Sequence, residues 1–175
     1  QLCGVFDGQE PEKEKYAYYR FAAGQKTDSS TEQFFADQLS RIEEASALLP
    51  DIYESDGSHD MAEVKCKTDL NAALDKCKAL GITPAALYLA AVALAVSKYT
   101  AEETAGICTV SNGRSDLNLT DTFGMFVNTL PLVVRADSSL AVDEYLRQVA
   151  ETFLETLSNE NYPYGRIVEK FGYSA

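Results

Sequence analysis

Apolar and polar positions along this chain follow two different periods. Phe34, Phe35, Leu39, Ile42, Ala45 and Leu49 recur at helical spacing as far as Pro50, behind a Ser30-Thr31-Glu32-Gln33 stretch that has the form of a capping box. That pattern predicts a helix. Ala62, Val64 and Cys66 then alternate with Glu63, Lys65 and Lys67, which predicts a half-buried strand with its charges facing out. The next helix starts from Thr68 or Asp69, carries Leu70, Ala73, Leu74, Cys77 and Leu80 on one stripe, and stops at Gly81 as a left-handed cap. Thr83-Pro84 opens another, with threonine as cap and proline at the first position. Residues 84 to 99 are apolar nearly all round, and this predicts a central helix buried on more than one side.

Gly106 to Val110 reads as a buried strand that runs into an Asn112-Gly113 turn and Arg114, with a polar loop from Ser115 to Thr122 behind it. From Phe123 to Arg135 the residues are apolar, β-branched or aromatic, with Pro131 inside; this predicts strand. Alternation is not held through Pro131, so two strand segments with a bulge or edge position at the proline are expected. Asn128 falls in mid-strand, where its carboxamide must either find hydrogen-bond partners or point into a cavity. Val142, Tyr145, Leu146, Val149, Phe153 and Leu157 mark the inner face of an amphipathic helix, and Gly165 to Phe171 a short last one. Near the amino end, Pro11 opens a helix that continues from Tyr16 to Ala23. Helices around at least three strands make an α/β layered sandwich.

With 175 residues and 46% hydrophobic content, the chain suits one domain with a sizeable core. No segment approaches the roughly 20 apolar residues that span a bilayer, and Gln1-Leu2-Cys3-Gly4 shows no basic region followed by an apolar core, so neither a membrane span nor a signal peptide is expected. A net charge of −12 argues against nonspecific nucleic-acid binding, which needs surplus Lys and Arg to replace counterions.

Candidate chemistry is sparse. The four cysteines, Cys3, Cys66, Cys77 and Cys108, show no C-x-x-C pair and no histidine at ligand spacing, so no metal site is expected. Cys66, Cys77 and Cys108 fall in apolar-patterned segments and are read as small hydrophobes in a reducing, cytoplasmic setting. His59 is the one histidine, in a polar loop between Ser58 and Asp60, and is read as solvated. Neither Ser111 nor any cysteine has a histidine near it in sequence to activate it.

Thr109-Val110-Ser111-Asn112-Gly113-Arg114 and Gly124-Met125-Phe126-Val127-Asn128-Thr129-Leu130-Pro131-Leu132 resemble two neighbouring motifs of the condensation domains of non-ribosomal peptide synthetases, G-T-P-x-x-G-R and G-x-F-V-N-T-x-P-L-R. Tyr16-Ala17-Tyr18-Tyr19-Arg20-Phe21 looks like a worn Y-x-D-Y-A-x-W, and Asn159-Glu160-Asn161-Tyr162-Pro163-Tyr164 like H-Q-D-Y-P-F-E, in the same order. The chain departs from the pattern at Cys108, Val110, Tyr18-Tyr19 and Asn159. These departures leave a relaxed subfamily, an epimerisation domain or another related acyltransferase open.

The resemblance implies a chloramphenicol-acetyltransferase-like lobe, a mixed sheet flanked by helices. Because the family's H-H-x-x-x-D-G signature is missing, it implies that residues 1 to 175 are one partial domain, a C-terminal lobe without its N-terminal partner and cut short at its C-terminal end. It further implies an activity that joins aminoacyl or peptidyl thioesters on carrier proteins, with substrates carried on phosphopantetheine and no cofactor bound directly. The partners implied are carrier-protein domains and the N-terminal lobe, not nucleic acid or membrane. No catalytic residue is assigned in this chain. Asn128 and Thr129 are expected to border a substrate tunnel, with Arg114 bracing the turn beside it. A non-catalytic scaffold that docks carrier proteins is the alternative outside enzymes. The geometry that follows places the strand from Met125 to Val134 beside that from Gly106 to Val110, with Asn128 and the Asn112 to Arg114 turn at one edge and the Pro84 to Tyr99 helix on the opposite side.

Overall fold

A computed structural model of the chain describes residues 6–8, 10, 18–25, 28–42, 63–115 and 119–172. The expectations for Pro11, Cys3, the helix beyond Ile42, and His59 with its loop lie outside these residues.

Helix α1 (Tyr18–Gly24) is followed by α2 (Ser29–Leu39). The cap of α2 is Asp28, two residues earlier than the Ser30 that the sequence pattern implies. Its carboxylate accepts the backbone N–H of Ser30 at 3.2 Å and the Ser30 hydroxyl at 2.8 Å, while the Gln33 amide donates to Asp37 at 2.7 Å. A carboxylate both caps and meets the positive end of the helix, so it displaces the neutral capping box.

Of the strand expected over 62–67, the described part is not formed: residues 63–69 are exposed and have no regular structure. Val64 and Cys66 face water, and Lys65 pairs locally with Glu63 at 3.3 Å. Alternation alone cannot hold a strand without a neighbouring edge to pair with. Helix α3 (Asn71–Leu80) then ends as expected on Gly81, whose φ of 69° is left-handed. Helix α4 (Pro84–Thr100) opens under Thr83, which accepts the N–H of Ala86 at 3.2 Å.

Strands β1 (Thr104–Ser111) and β2 (Asn128–Arg135) form an antiparallel pair with Ser111 opposite Asn128 and Thr104 opposite Arg135. Among the described residues this is the whole sheet, rather than three or more strands. β2 is continuous through Pro131, which stands opposite Cys108 with no bulge. The N–H of Val133 points away from β1, to the Gln38 side-chain oxygen on α2 at 3.2 Å. Residues 131 and 133 share that orientation, so the proline's missing N–H falls on the outer edge and removes no ladder bond. The lost alternation has another cause. Leu130, Pro131, Leu132, Val133 and Val134 are all buried, because helices cover β2 on both sides.

Two cores follow from this layering. Ala90, Ala93, Leu132, Val134, Leu146 and Val149 join α4 and α5 (Val142–Ser158) to one side of the sheet. Phe35, Leu39, Leu130, Val133 and Ile167 join α2 and α6 (Tyr164–Phe171) to the other. The Tyr145 hydroxyl donates to the Ala90 carbonyl at 2.8 Å, pinning α5 to α4. Burial holds that phenol above its ordinary pKa. α4 buries one face only: Ala86, Ala90, Ala93 and Ser97 are inside, while Tyr88, Val92, Leu94 and Tyr99 are exposed. The expectation of burial on several sides fails, since only the face that carries Ala86, Ala90, Ala93 and Ser97 is buried.

Candidate functional site

Four segments converge at the end of the sheet where β1 finishes and β2 begins: the Ser111 to Arg114 turn, the Phe126 to Asn128 approach, the 159–163 connection, and α1. The register requires this meeting, since Ser111 is paired with Asn128 across the ladder.

Asn128 opens β2 rather than standing in its middle. Its amide nitrogen donates to the carbonyls of Glu160 and Tyr162, each at 2.8 Å, and its oxygen accepts the N–H of Tyr164 at 3.2 Å. One side chain thus satisfies three backbone groups of a connection that has no ladder of its own. The staple fixes where α6 starts.

Gly113 sits against Phe126 with φ of 62°, and a Cβ there would lie 2.0 Å from the Phe126 carbonyl oxygen. Only glycine permits both the left-handed turn and this approach. Arg114 organises the loop that follows. Its guanidinium donates to the carbonyls of Leu119, Thr122 (2.9 Å) and Gly124 (3.3 Å), and lies 4.2 Å from the centre of the Phe126 ring. Phe126 in turn meets the rings of Tyr18 and Phe21, each 5.1 Å away, which docks α1 on the loop.

Between these segments lies a cleft of about 150 Å³, walled by Tyr18, Phe21, Phe126, Asn128, Glu160 and Asn161 among others. It is open, with Met125 and Val127 of its lining exposed. Of the three residues singled out by the resemblance, Asn128 lines the cleft. Arg114 braces the loop behind it, and Thr129, half-buried opposite Val110, stands one residue further along the strand and is not in the lining.

Sequence reasoning passed over Glu160. It is 7% exposed, its Oε2 accepts the Ser111 hydroxyl, and Ser111 Oγ accepts the N–H of Gly113 at 3.1 Å. Among the described residues its Oε1 has no hydrogen-bond partner, and no Lys or Arg pairs with it. The signal in the sequence was a charged residue standing where the quoted motif has glutamine.

Among the described residues no group of three His, Cys, Asp or Glu is placed to hold a metal, and no single helix is long and apolar enough to cross a membrane. Cys77 is buried, Cys108 half-buried, and Cys66 exposed rather than packed.

The family model for the condensation domain matches residues 3–174. Among curated proteins, the chain is 34% identical to bacitracin synthase 1 of Bacillus licheniformis over 90 residues, 51% of this chain and 2% of that one. It is 28% identical to tyrocidine synthase 3 of Brevibacillus parabrevis over 154 residues, 85% of this chain and 2% of that one. Among solved structures, SgcC5 from Streptomyces globisporus superposes on 96% of this chain with a TM-score of 0.72 at 20% identity, the match covering 40% of SgcC5. The condensation domain of the monacolin K polyketide synthase MokA superposes on 97% of this chain, TM-score 0.67 at 18% identity, over 43% of its own length. The chain therefore spans about two fifths of these structures and a small part of the synthetases.

Proposed function

Because this chain belongs to the condensation-domain family, we propose that it forms the C-terminal, acceptor-side lobe of a non-ribosomal peptide synthetase condensation domain. The observation that carries this reading is the open cleft at the sheet end, where Asn128 ties two of the four resembling segments, 124–132 and 159–164, together. On this reading Asn128 borders the passage for a phosphopantetheine arm, Thr129 stands behind it one residue along the strand, and Arg114 holds the loop that shapes its wall. The partners are carrier-protein domains and an N-terminal lobe, in the cytosol, with no cofactor resident in this chain.

The reaction assigned to the whole domain is acyl transfer. The acceptor amine attacks the donor thioester carbonyl, a C–N bond forms as the C–S bond breaks, and the amine's proton passes to solvent as the thiolate leaves and is reprotonated. This chain's contribution is to enclose and orient the acceptor arm, so that the amine reaches the carbonyl in a near-attack geometry. The base or positioning histidine belongs to the other lobe.

The test uses two carrier proteins, one loaded with a donor and one with an acceptor aminoacyl group. The chain alone is expected to give no dipeptide above the blank. Fused in cis to an N-terminal lobe bearing the H-H-x-x-x-D-G signature, it is expected to restore dipeptide formation. Dipeptide made by the chain alone, or none from the fusion when its fold and carrier loading are intact, contradicts the assignment.

A further inference from the structure

We propose that Glu160 gives the cleft a binding point for an ammonium or amine nitrogen, the α-amine of the acceptor aminoacyl group; this rests on the reading that the cleft takes the acceptor arm. Three observations converge on it. The residue is 7% exposed and belongs to the cleft lining, and only one of its carboxylate oxygens is engaged, by the Ser111 hydroxyl. Among the described residues the other oxygen has no donor, and no Lys or Arg pairs with the carboxylate. The segment cannot simply turn the group out to water, because Asn128 holds the Glu160 and Tyr162 carbonyls and the Tyr164 N–H from inside.

A buried carboxylate oxygen without a partner is costly, and such groups in native folds call for an explanation. The donor that compensates it best is a charged or strongly polarised N–H, since charge-assisted hydrogen bonds are about twice as strong as neutral ones. The terminal torsion of glutamate is broad and roughly two-fold, so a modest rotation presents the unengaged oxygen to a donor in the cleft while Ser111 keeps an acceptor. The rings of Tyr18, Phe21 and Phe126 belong to the cleft wall. The carboxylate contact holds the nitrogen and takes no part in bond making. Glu160 is a positioning residue with respect to the reaction.

Two N–H sources are separable: the amine itself and the amide N–H groups of the pantetheine arm. The experiment measures binding to this chain, by NMR titration, of an alanyl-pantetheine in which an amide replaces the thioester, alongside the same compound acetylated on its α-nitrogen and unacylated pantetheine. The wild-type chain is expected to bind the free amine about tenfold or more tightly than the acetylated form, the scale of one hydrogen bond to a charged group. Glu160→Gln, which keeps the shape and an acceptor for Ser111, is expected to erase that preference while leaving the acetylated probe's affinity within about twofold. Equal binding of both acyl probes by wild type overturns the amine contact and leaves the cleft reading standing. Binding of none of the three overturns both. A preference that survives in Glu160→Gln assigns the contact elsewhere and also overturns the proposal. Should that variant not fold, the wild-type preference between the two acyl probes decides alone.

Discussion

Asn128 makes a residue-scale prediction that separates its structural role from any role in the cleft. Asn128→Ala leaves two carbonyls and one N–H without their partner, and is expected to lower stability by about 1–3 kcal/mol in urea denaturation. No change in midpoint contradicts the staple. Gly113→Ala is expected to cost at least about 2 kcal/mol, because a left-handed alanine costs about 1–2 kcal/mol before its Cβ meets the Phe126 carbonyl. Glu32 carries part of the pH dependence, beside Asp28 and Asp137, whose carboxyls are also held low. The hydrogen bond from Lys170 is the main cause that holds the Glu32 carboxyl below the ordinary value, with the Lys170 charge and the Tyr162 hydroxyl adding to it. A lowered folded-state pKa means stability present above the ordinary glutamate value and lost as pH falls through the lowered one. Glu32→Gln is therefore expected to melt below wild type at neutral pH, with the difference vanishing in acid; a difference that grows in acid refutes the pairing. The sequence made Asn128 legible as an amide needing partners. It did not make Glu160 legible, because its burial depends on a tether from a residue 32 positions earlier, and no local pattern encodes that.

Elements with a strong local code were readable. The α4 start at Thr83-Pro84 and the α3 stop at Gly81 each rest on a cap that acts within one turn, so composition and structure agree. Features that depend on distant partners were not. The alternation over 62–67 promised a strand that no neighbouring edge supports, and the loss of alternation in β2 marks burial on both sides rather than a break at Pro131. Gln38 is the clearest case: nothing in the α2 pattern shows that it serves a strand 95 residues away. Gln38→Leu is expected to leave the Val133 N–H unpaired in the core and to lower stability by about 1–3 kcal/mol, read from thermal or urea unfolding. A neutral result would show that the outer edge of β2 needs no acceptor.

At the scale of the molecule, the α/β class was legible because α2, α3 and α5 carry their own apolar stripes, while the number of neighbours of α4 was not. An all-apolar helix tells that something covers it, not what or where. Tyr88, Val92 and Tyr99 remain exposed on its outer face, and Met125 and Val127 at the cleft rim. Apolar surface of this kind drives association, against the −12 charge that opposes it. Sedimentation velocity on the chain is expected to show concentration-dependent oligomers that salt strengthens and Val92→Glu weakens; monomers at every concentration contradict this.

The measurement that bears most directly on the central assignment is photo-crosslinking from a carrier protein whose phosphopantetheine arm ends in a diazirine amide, with adducts located by peptide mass spectrometry. The account predicts adducts within residues 18–25, 125–128 and 160–163, the segments that wall the cleft, and their loss when excess free pantetheine amide competes. Adducts confined to the outer face of α4, or none above the level given by the carrier protein without its arm, would contradict it.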